Sequence, residues 1–345
     1  MTSVRLDYDN VPGDHCGSTA MRNLIRHYCG LELSEPMAFG LGSGIDLLYL
    51  EATGQNPEVS AYGRGITMES DLGTALGIDY REVPEMDDAR AWEVVRQEVL
   101  EGRPSMLSGD IYYLDYRKFD VHFPSHRFVL VGFDDQQQIA WIADRVDPEP
   151  QPCSYGALAE SRNPRDAITT FNLWGKFHGT EVPRSLELAT RAALTKTAQR
   201  MLGLDDSQSL LIQMMFGGAQ ATVTTGLSGL AHYAAELATW GERANAAALA
   251  RYAGSTIEKF GTGGGNFRKL YAAFLREALE VVPDAVDPAL PGLADRAAER
   301  WTALSAQLTD DPPTEATWRE GAALLREILA LETQLFEKLG RRVLG

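Results

Sequence analysis

One cysteine stands where its thiol could act as a nucleophile. Residues 13–25 read GDHCGSTAMRNLI; a turn opens this stretch, and residues 17–29 carry apolar side chains at helical spacing, with Gly30 as the predicted C-cap. Cys16 therefore lies at or just before a helix N-terminus. Unpaired N–H groups and the helix dipole stabilise a thiolate there and can hold an oxyanion. The alternative is that Cys16 is a small, inert core residue.

A nucleophilic cysteine needs a base and a group that orients the base. His126 precedes the apolar run RFVLVGF, and Asp144 ends the run QIAWIAD; the two runs predict an antiparallel hairpin. Because a hairpin brings these ends together, Asp144 can take the Nδ1 proton of His126 and leave Nε2 facing Cys16. The alternative is that His126 caps a strand and Asp144 opens a turn.

The other histidines are weaker candidates for the base. His15 is adjacent to Cys16 but is expected to project away from it around the turn, which favours a structural or substrate-facing role. His27 and His232 fall within predicted helices, where a core or solvated role is favoured. His122, His126 and His178 remain, and the predicted pairing with Asp144 makes His126 the predicted base.

The character of the sequence changes near residue 183. Before it, short β-rich runs are separated by Gly, Pro and Asp, whereas the later sequence is rich in Ala, Leu and Glu with helical periodicity. A length of 345 residues exceeds the usual size of one hydrophobic core. The sequence therefore predicts an α+β domain over residues 1–180 and an all-helical domain over residues 181–345.

The hydrophobic patterns also predict the individual elements. Strands are predicted at residues 105–114, 127–133, 138–144 and 167–173. Helices are predicted in the first domain at residues 17–29 and 88–101. In the second domain they are predicted at 184–202, 206–216, 222–239, 242–260, 266–280, 288–307 and 315–340, the last with Thr314 as N-cap.

Composition limits the classes of function. The formal net charge of -16 argues against nucleic-acid binding, which requires a dominant basic surface. Three cysteines, none in a spacing typical of zinc ligands, predict free thiols in a reducing compartment and no metal site. The sequence shows neither a signal-peptide pattern nor an apolar stretch long enough to span a bilayer, so we expect a cytoplasmic protein without membrane partners.

Two glycine-rich stretches are weaker candidates for substrate contact. FGLGSG, which contains Ser43, follows the first predicted helices and is either a packing loop or a loop beside the active site. FGTGGGNFRKLY places Asn266 and Arg268 at a predicted helix start. These two residues either contact an anion or an acyl chain, or belong to a turn in which Asn266 caps the helix.

A third stretch combines an acidic and an aromatic residue. Asp110 and Tyr112 follow a predicted strand beside the hairpin, where they would suit a cationic ligand. The alternative is a solvated strand end.

The order of these features resembles a known family. A Cys-Gly pair at an early helix, a His leading VLVGFDD and a strand ending in Asp are similar to the papain-like arrangement of C39-type peptidases. HCGSTAMRNLIRHYCGLELSEPMAFGLGSGIDLLYL resembles the N-terminal domain of the butirosin biosynthesis protein BtrH family. FGTGGGNFRKLYAAFLREAL resembles the helical C-terminal domain of that family. The resemblance implies a papain-like (C39-like) catalytic domain, with a helical domain that covers the active site and contributes to the substrate pocket.

The resemblance further implies an acyltransferase. Cys16 would carry the acyl group as a thioester, His126 would act as base and then as acid, and Asp144 would orient it. In C39-type enzymes, a Gln shortly before the Cys helps to hold the oxyanion. Here Asn10 takes that place, with Gly17 as a second oxyanion residue.

The implied reaction defines the expected partners. The acyl donor would be a phosphopantetheine thioester of an acyl carrier protein or of CoA, used as a substrate without a bound cofactor. The acceptor would be a small-molecule amine. A carrier protein is expected to dock on a basic surface. The alternative is that the basic residues only form an exposed helix face. A homodimer is left open. The candidate basic residues are Arg184, Arg191, Lys196 and Arg200.

Three functions remain at this point. The first is an amide-forming acyltransferase of specialised, antibiotic-type metabolism. The second is a cysteine hydrolase of the same fold, acting as a peptidase, amidase or thioesterase. The third is a noncatalytic binding protein that keeps the fold without the chemistry.

Overall fold

The structure is a computed structural model that describes residues 2–52, 57–165, 169–215, 221–310 and 312–345. It divides into two compact units, each built from two separate stretches of the chain. Unit 1 comprises Met1–Ala38 and Gly77–Pro183, and unit 2 comprises Phe39–Leu76 and Arg184–Gly345. Residues 39–76 thus group with the C-terminal stretch, whereas the predicted division placed them in the first domain.

Strands and helices alternate over the first half of the chain, and helices predominate afterwards. The strands are β1 (Ser3–Arg5), β2 (Ile45–Ala52), β3 (Val59–Arg64), β4 (Tyr80–Val83), β5 (Ser105–Gly109), β6 (His126–Asp134), β7 (Ile139–Ala143), β8 (Gln151–Ser154), β9 (Trp174–Phe177) and β10 (Ala221–Thr225). The helices are α1 (Cys16–Cys29), α2 (Glu35–Leu41), α3 (Met68–Leu76), α4 (Asp88–Leu100), α5 (Tyr155–Arg162), α6 (Leu186–Met201), α7 (Ser207–Met215), α8 (Gly226–Glu236), α9 (Ala246–Glu258), α10 (Arg268–Val281), α11 (Leu290–Thr309) and α12 (Glu315–Val343). Short 3-10 helices occupy Ile111–Tyr113 and Leu237–Glu242. The predicted α+β class is confirmed.

Unit 1 is built on an antiparallel sheet. Its strands run in the order β4-β9-β5-β6-β7-β8, and β1 pairs with β6. The central strand β6 is buried from His126 to Phe133, because its sequence is almost entirely apolar and helices α1 and α4 pack on it. The predicted hairpin is confirmed: β6 pairs antiparallel with β7, and Val129 lies opposite Ala143.

Helix α1 forms where the sequence predicts it. Its apolar residues Met21, Leu24 and Ile25 are fully buried. The side chain of the N-cap, His15, accepts a hydrogen bond from the first turn, and Gly30 closes the helix at a φ of 64°. Both helix ends are therefore fixed locally, and Cys16 becomes the first helical residue.

Unit 2 combines a small antiparallel sheet, in the order β10-β2-β3, with the C-terminal helices. Trp240 and Trp301 are fully buried in its core. Helix α12 begins after Thr314, whose capping box confirms the predicted N-cap.

Two element predictions were wrong. The C-terminal stretch is not all helical, because residues 221–225 form β10 at the start of the predicted helix 222–239. The sequence ATVTT is rich in β-branched residues, which favour a strand. In the predicted strand 167–173, residues 167 and 168 lie outside the described residues, and the part from 169 onward forms a turn before β9. Residue 216, the end of one predicted helix, also lies outside the described residues.

The helices in the described ranges were compared with the length and hydropathy of a membrane-spanning helix. None of the helices found there combines the length and the apolar character that crossing a bilayer requires.

Candidate active site

The hairpin of unit 1 brings His126 and Asp144 into hydrogen-bond contact. His126 is the first residue of β6, and Asp144 directly follows β7. Nε2 of His126 lies 3.0 Å from Oδ2 of Asp144, and both residues are 2% exposed. The pairing of these residues is as predicted, but the ring nitrogen is not: Nε2, rather than Nδ1, faces the carboxylate. Strand pairing places the backbone of a histidine but does not determine how its ring is turned.

Cys16 lies at the N-terminus of α1 and is 6% exposed. Its sulfur is hydrogen-bonded by the rings of His126 and His15. Since Nε2 of His126 is bound to Asp144, the nitrogen of that ring available to Cys16 is Nδ1. Burial alone would raise the pKa of the Cys16 thiol, but the two histidines outweigh burial and hold this pKa well below its ordinary value.

Two hydrogen bonds, one between backbone groups and one from a side chain, tie the loop before Cys16 to the turn that carries Asp144. The N–H of Gly13 donates to the carbonyl of Arg145 at 2.7 Å, and Nη1 of Arg145 donates to the carbonyl of Asp14 at 2.8 Å. The segments that carry the nucleophile and the acidic residue are therefore held together by Gly13 and Arg145 as well as through His126.

Asp144 is held as a carboxylate by several donors. Tyr116 donates to its Oδ2 at 3.0 Å, and the backbone N–H of Arg145 donates to its Oδ1 at 2.6 Å. The Arg117 guanidinium adds an ion pair rather than a hydrogen bond, with Nε 3.2 Å from Oδ2. Burial alone would raise the pKa of Asp144, but His126, Arg117 and the Arg145 N–H lower it far below its usual range.

The charge on Asp144 determines the protonation state of His126. Burial alone would lower the pKa of His126, but the carboxylate of Asp144, together with Cys16, raises it to about 9. These shifts all favour the charged forms, a Cys16 thiolate, a His126 imidazolium and an Asp144 carboxylate. This arrangement can attack a carbonyl carbon and protonate a leaving group.

The pH dependence of Cys16 acylation by a test thioester is expected to follow this ion pair. The rate should rise with pH through the depressed pKa of Cys16, remain flat across neutrality and fall as pH exceeds about 9, where His126 loses the proton that the leaving group needs. Initial rates between pH 4 and pH 10 measure both limbs. A single rise with a midpoint near the pKa of free cysteine, about 8.5, would contradict the ion pair.

Asn10 does not have the predicted role in the oxyanion site. Its Nδ2 group donates to the carbonyls of Asp144 and Asp147, both at 2.7 Å, and its Oδ1 accepts from Asn23 at 2.9 Å. Both amide hydrogens are thus used on backbone carbonyls. Asn10 instead fixes the turn that carries Asp144.

Glu35 was missed by the sequence analysis. This buried carboxylate accepts hydrogen bonds from the backbone N–H of Asp14 at 2.9 Å and of His15 at 2.7 Å. It also accepts from the hydroxyls of Ser18 and Thr19, both at 3.1 Å. Glu35 therefore holds the loop and the first turn on either side of Cys16, and a glutamate that precedes a proline gives no sequence signal for this role.

Gly13 is required by the approach of Glu35. A Cβ at this position would overlap the Glu35 carboxylate and the Thr19 hydroxyl. A glycine at the head of the predicted turn was therefore a usable signal for close packing.

His15 does not project away from Cys16 as predicted. Its Nδ1 accepts from the N–H of Ser18 at 3.1 Å, and its ring is 2% exposed and hydrogen-bonded to the Cys16 sulfur. The N-cap geometry turns the ring over the first turn of α1 rather than away from it. Gly17, the second residue of the helix, keeps a backbone N–H without an acceptor inside the helix.

Asp110 is committed to its own loop rather than open to a cationic acceptor. It is fully buried; its Oδ1 accepts from the N–H groups of Tyr112 and Phe123, and its Oδ2 lies 2.7 Å from Nδ1 of His122. Tyr112 is 43% exposed and stacks on His122 with ring centroids 4.2 Å apart. Of the two predicted residues, only Tyr112 presents surface to a ligand.

Ser43, Asn266 and Arg268 lie in unit 2. Ser43 is buried and donates to the carbonyl of Ala193 at 3.2 Å. Asn266 is not the N-cap: helix α10 begins after Phe267, and both residues before the helix have positive φ, 52° and 70°. The predicted cap therefore fails because the backbone before α10 is left-handed rather than extended.

Arg268 is a structural residue rather than a contact for an anion. Its Nε and Nη2 donate to the two carboxylate oxygens of Glu332 at 2.8 and 2.9 Å. Its other N–H groups donate to the carbonyls of Gly63, Asn266 and Asp46. All five donors of the guanidinium are thus used within unit 2, which overturns the predicted role.

The predicted basic surface is largely neutralised. Lys196 and Arg200 both pair with Asp71, at 2.5 and 2.7 Å, and Arg200 is only 2% exposed. Arg191 pairs with two carboxylates, and Arg184 donates to a backbone carbonyl. These four side chains do not form the exposed basic patch that a carrier protein would need.

Among the described residues, no group of three or more His, Cys, Asp or Glu side chains is arranged so that it could hold a metal ion.

Two family models match the chain. A model for the N-terminal part of butirosin biosynthesis protein H matches residues 15–145, which include Cys16, His126 and Asp144. A model described as a domain of unknown function (DUF4872) matches residues 157–339, more than half of the chain. No curated protein matches the sequence.

Proposed function

The chain belongs to the BtrH-type family, and on that basis we propose that it is an acyltransferase that forms an amide through an acyl-Cys16 intermediate. The observation that carries the proposal is the buried chain of contacts from Cys16 through His126 to Asp144. Butirosin biosynthesis, which gives the family its name, is the kind of antibiotic pathway in which such an enzyme would act. The resemblance of the sequence to C39-type peptidases, which have a papain-like fold, also fits catalysis by a cysteine nucleophile.

The first half-reaction transfers the acyl group from the donor thioester to the enzyme. The Cys16 thiolate attacks the carbonyl carbon, and the π electrons of the C=O bond move to oxygen. When the carbonyl re-forms, the bond from carbon to the donor sulfur breaks. His126 gives its Nδ1 proton to the departing thiolate, which leaves as a thiol, and His126 becomes neutral. One thioester is exchanged for another, so the step has little thermodynamic cost.

The second half-reaction releases the acyl group as an amide. The nitrogen of a neutral amine attacks the acyl carbon, neutral His126 takes the N–H proton, and the bond from carbon to the Cys16 sulfur breaks. This step regenerates the thiolate and the imidazolium. Asp144 stabilises the His126 imidazolium at the start and at the end of the cycle. His126 therefore gives its proton in the first half-reaction and regains one in the second.

The burial of Cys16 favours a donor with a long, flexible thiol arm. The sulfur belongs to a residue only 6% exposed, so a thioester carbonyl must reach into the protein rather than meet the nucleophile at the surface. Phosphopantetheine of an acyl carrier protein or of CoA supplies such an arm and no further cofactor. The small amine acceptor must then enter the same buried site to reach the acyl carbon.

Intact-protein mass spectrometry with acyl-CoA and acyl-carrier donors tests this function. We expect the mass of the protein to increase by that of the acyl group, and peptide mapping to locate this group on Cys16. The control variant Cys29→Ser should form the same adduct. Added amine should remove the adduct faster than buffer alone and appear as the amide. Release at the same rate without amine would favour the hydrolase, and the absence of an adduct with every donor would contradict both enzymes.

A further inference from the structure

The proposed reaction needs a donor for the negative charge on the carbonyl oxygen. Stabilising such an oxyanion with a positioned hydrogen-bond donor contributes typically about 10²- to 10³-fold to the rate. Asn10 cannot supply this donor, because both of its amide hydrogens are bound to carbonyls. The backbone N–H groups of Cys16 and Gly17 remain available within the helix, since the first turn has no intrahelical acceptors for them.

Ser18 occupies the Nδ1 side of the His15 ring. Nδ1 accepts from the backbone N–H of Ser18 at 3.1 Å and lies 3.0 Å from the Ser18 hydroxyl oxygen. Nε2 is therefore the ring nitrogen left to face the Cys16 sulfur. A nitrogen that hydrogen-bonds to a thiolate must carry the proton, so the N–H offered to Cys16 is Nε2–H.

The His15 ring lies against the reacting sulfur. It hydrogen-bonds to Cys16 and is almost completely buried, so it is fixed rather than solvated. In a tetrahedral intermediate, the oxyanion and the sulfur are bonded to the same carbon, so a donor that contacts the sulfur on the side of the oxygen can transfer its hydrogen bond to that oxygen.

We propose that His15 is a catalytic residue whose Nε2–H donates to the oxyanion, together with the backbone N–H of Gly17. In the resting enzyme this proton faces the Cys16 thiolate. As the thiolate bonds to the acyl carbon, the negative charge moves from sulfur to the carbonyl oxygen, and the hydrogen bond follows the charge. The helix cap that holds Nδ1 thus prepares the donor before substrate binds.

Two substitutions separate this role from helix capping. His15→Asn keeps a cap acceptor for the Ser18 N–H, because Asn is among the best N-cap residues, but removes the distal N–H. His15→Gln keeps a distal N–H donor at the cost of the cap. Thermal unfolding of both variants reports the capping contribution, which is typically about 1 kcal/mol.

The decisive comparison uses two reagents that both modify Cys16. Iodoacetamide reacts at a saturated carbon and forms no oxyanion, whereas p-nitrophenyl acetate acylates through a tetrahedral intermediate. The inference rests on the proposed function only in taking Cys16 as the nucleophile, because neither reagent requires a carrier, CoA or an amine.

We expect His15→Asn to slow acylation by the ester at least tenfold more than it slows alkylation, and His15→Gln to recover part of the difference. An equal loss in both reactions would show that His15 only stabilises the thiolate and would overturn the proposal, as would no loss in either. If His15→Asn behaves as expected but no acyl thioester acylates the wild type, the proposed function fails while the role of His15 stands.

Discussion

Replacing Cys16 with serine is expected to lower the rate of amide formation about 10⁴-fold or more. His126 and His15 lower the pKa of the Cys16 thiol, so this thiol ionises far more readily than that of a free cysteine. A serine hydroxyl is far too weak an acid to be ionised by the same contacts. Single-turnover formation of the amide, followed by mass spectrometry of the acceptor, measures the loss.

Cys29→Ser is the matched control for that substitution. Cys29 closes the same helix, and burial raises the pKa of its thiol, so it lacks the features of a nucleophile. Its replacement should leave the rate within a factor of two. A Cys16→Ser variant that keeps a tenth of the wild-type rate would rule out covalent catalysis through this residue.

The isosteric change Asp144→Asn is expected to lower acyl transfer about 10²- to 10⁴-fold. The loss of the carboxylate charge lowers the pKa of His126 and, through it, raises the pKa of Cys16. An amide also cannot satisfy its neighbours: Oδ2 accepts from His126 and Tyr116, and Oδ1 accepts from the Arg145 N–H, so either orientation sets an NH₂ group against a donor. The pH profile of iodoacetamide alkylation should shift to higher pH.

Asp147→Asn makes the same chemical change in the same turn. Asp147 forms a partly exposed ion pair with Arg117 at 3.3 Å, a kind of contact worth at most about 1 kcal/mol. Its carbonyl, which anchors Asn10, is unaffected by the substitution. We expect near wild-type activity and an unchanged alkylation profile; equal losses in the two variants would assign the effect to the turn rather than to the charge on Asp144.

The sequence was most informative where local pattern and chain direction determine structure. The apolar spacing after Cys16 and the Gly30 cap predict α1 almost to the residue. The two apolar runs predict a hairpin, and a hairpin necessarily brings His126 and Asp144 together. These inferences needed only periodicity and the geometry of a two-stranded connection.

Contacts made by distant residues were not predictable in this way. Glu35 and Tyr116 reach the site from elements whose position depends on tertiary packing, and neither lies in a recognisable motif. The ring orientations of His126 and His15 depend on which acceptors and donors surround them. The same reason explains Asn10, since an amide near the nucleophile has no sequence mark that separates an oxyanion donor from a structural one.

The helical prediction for the C-terminal stretch failed at a strand that depends on a distant partner. Ala221–Thr225 pairs with β2, and Val223 lies opposite Leu50. Short apolar segments are ambiguous between helix and strand, and the β-branched residues were outweighed by the helical pattern that follows them.

The interleaved division of the chain has a consequence for its synthesis on the ribosome. When residue 183 has been added, every residue of unit 1 exists, yet residues 39–76 still lack their C-terminal partners. Strand β2, with Leu47, Leu48 and Tyr49 destined for burial, must wait with one open edge until β10 is translated. Translation pauses before residue 225 should therefore expose nascent chains to aggregation, and chaperone dependence should be greatest in that interval.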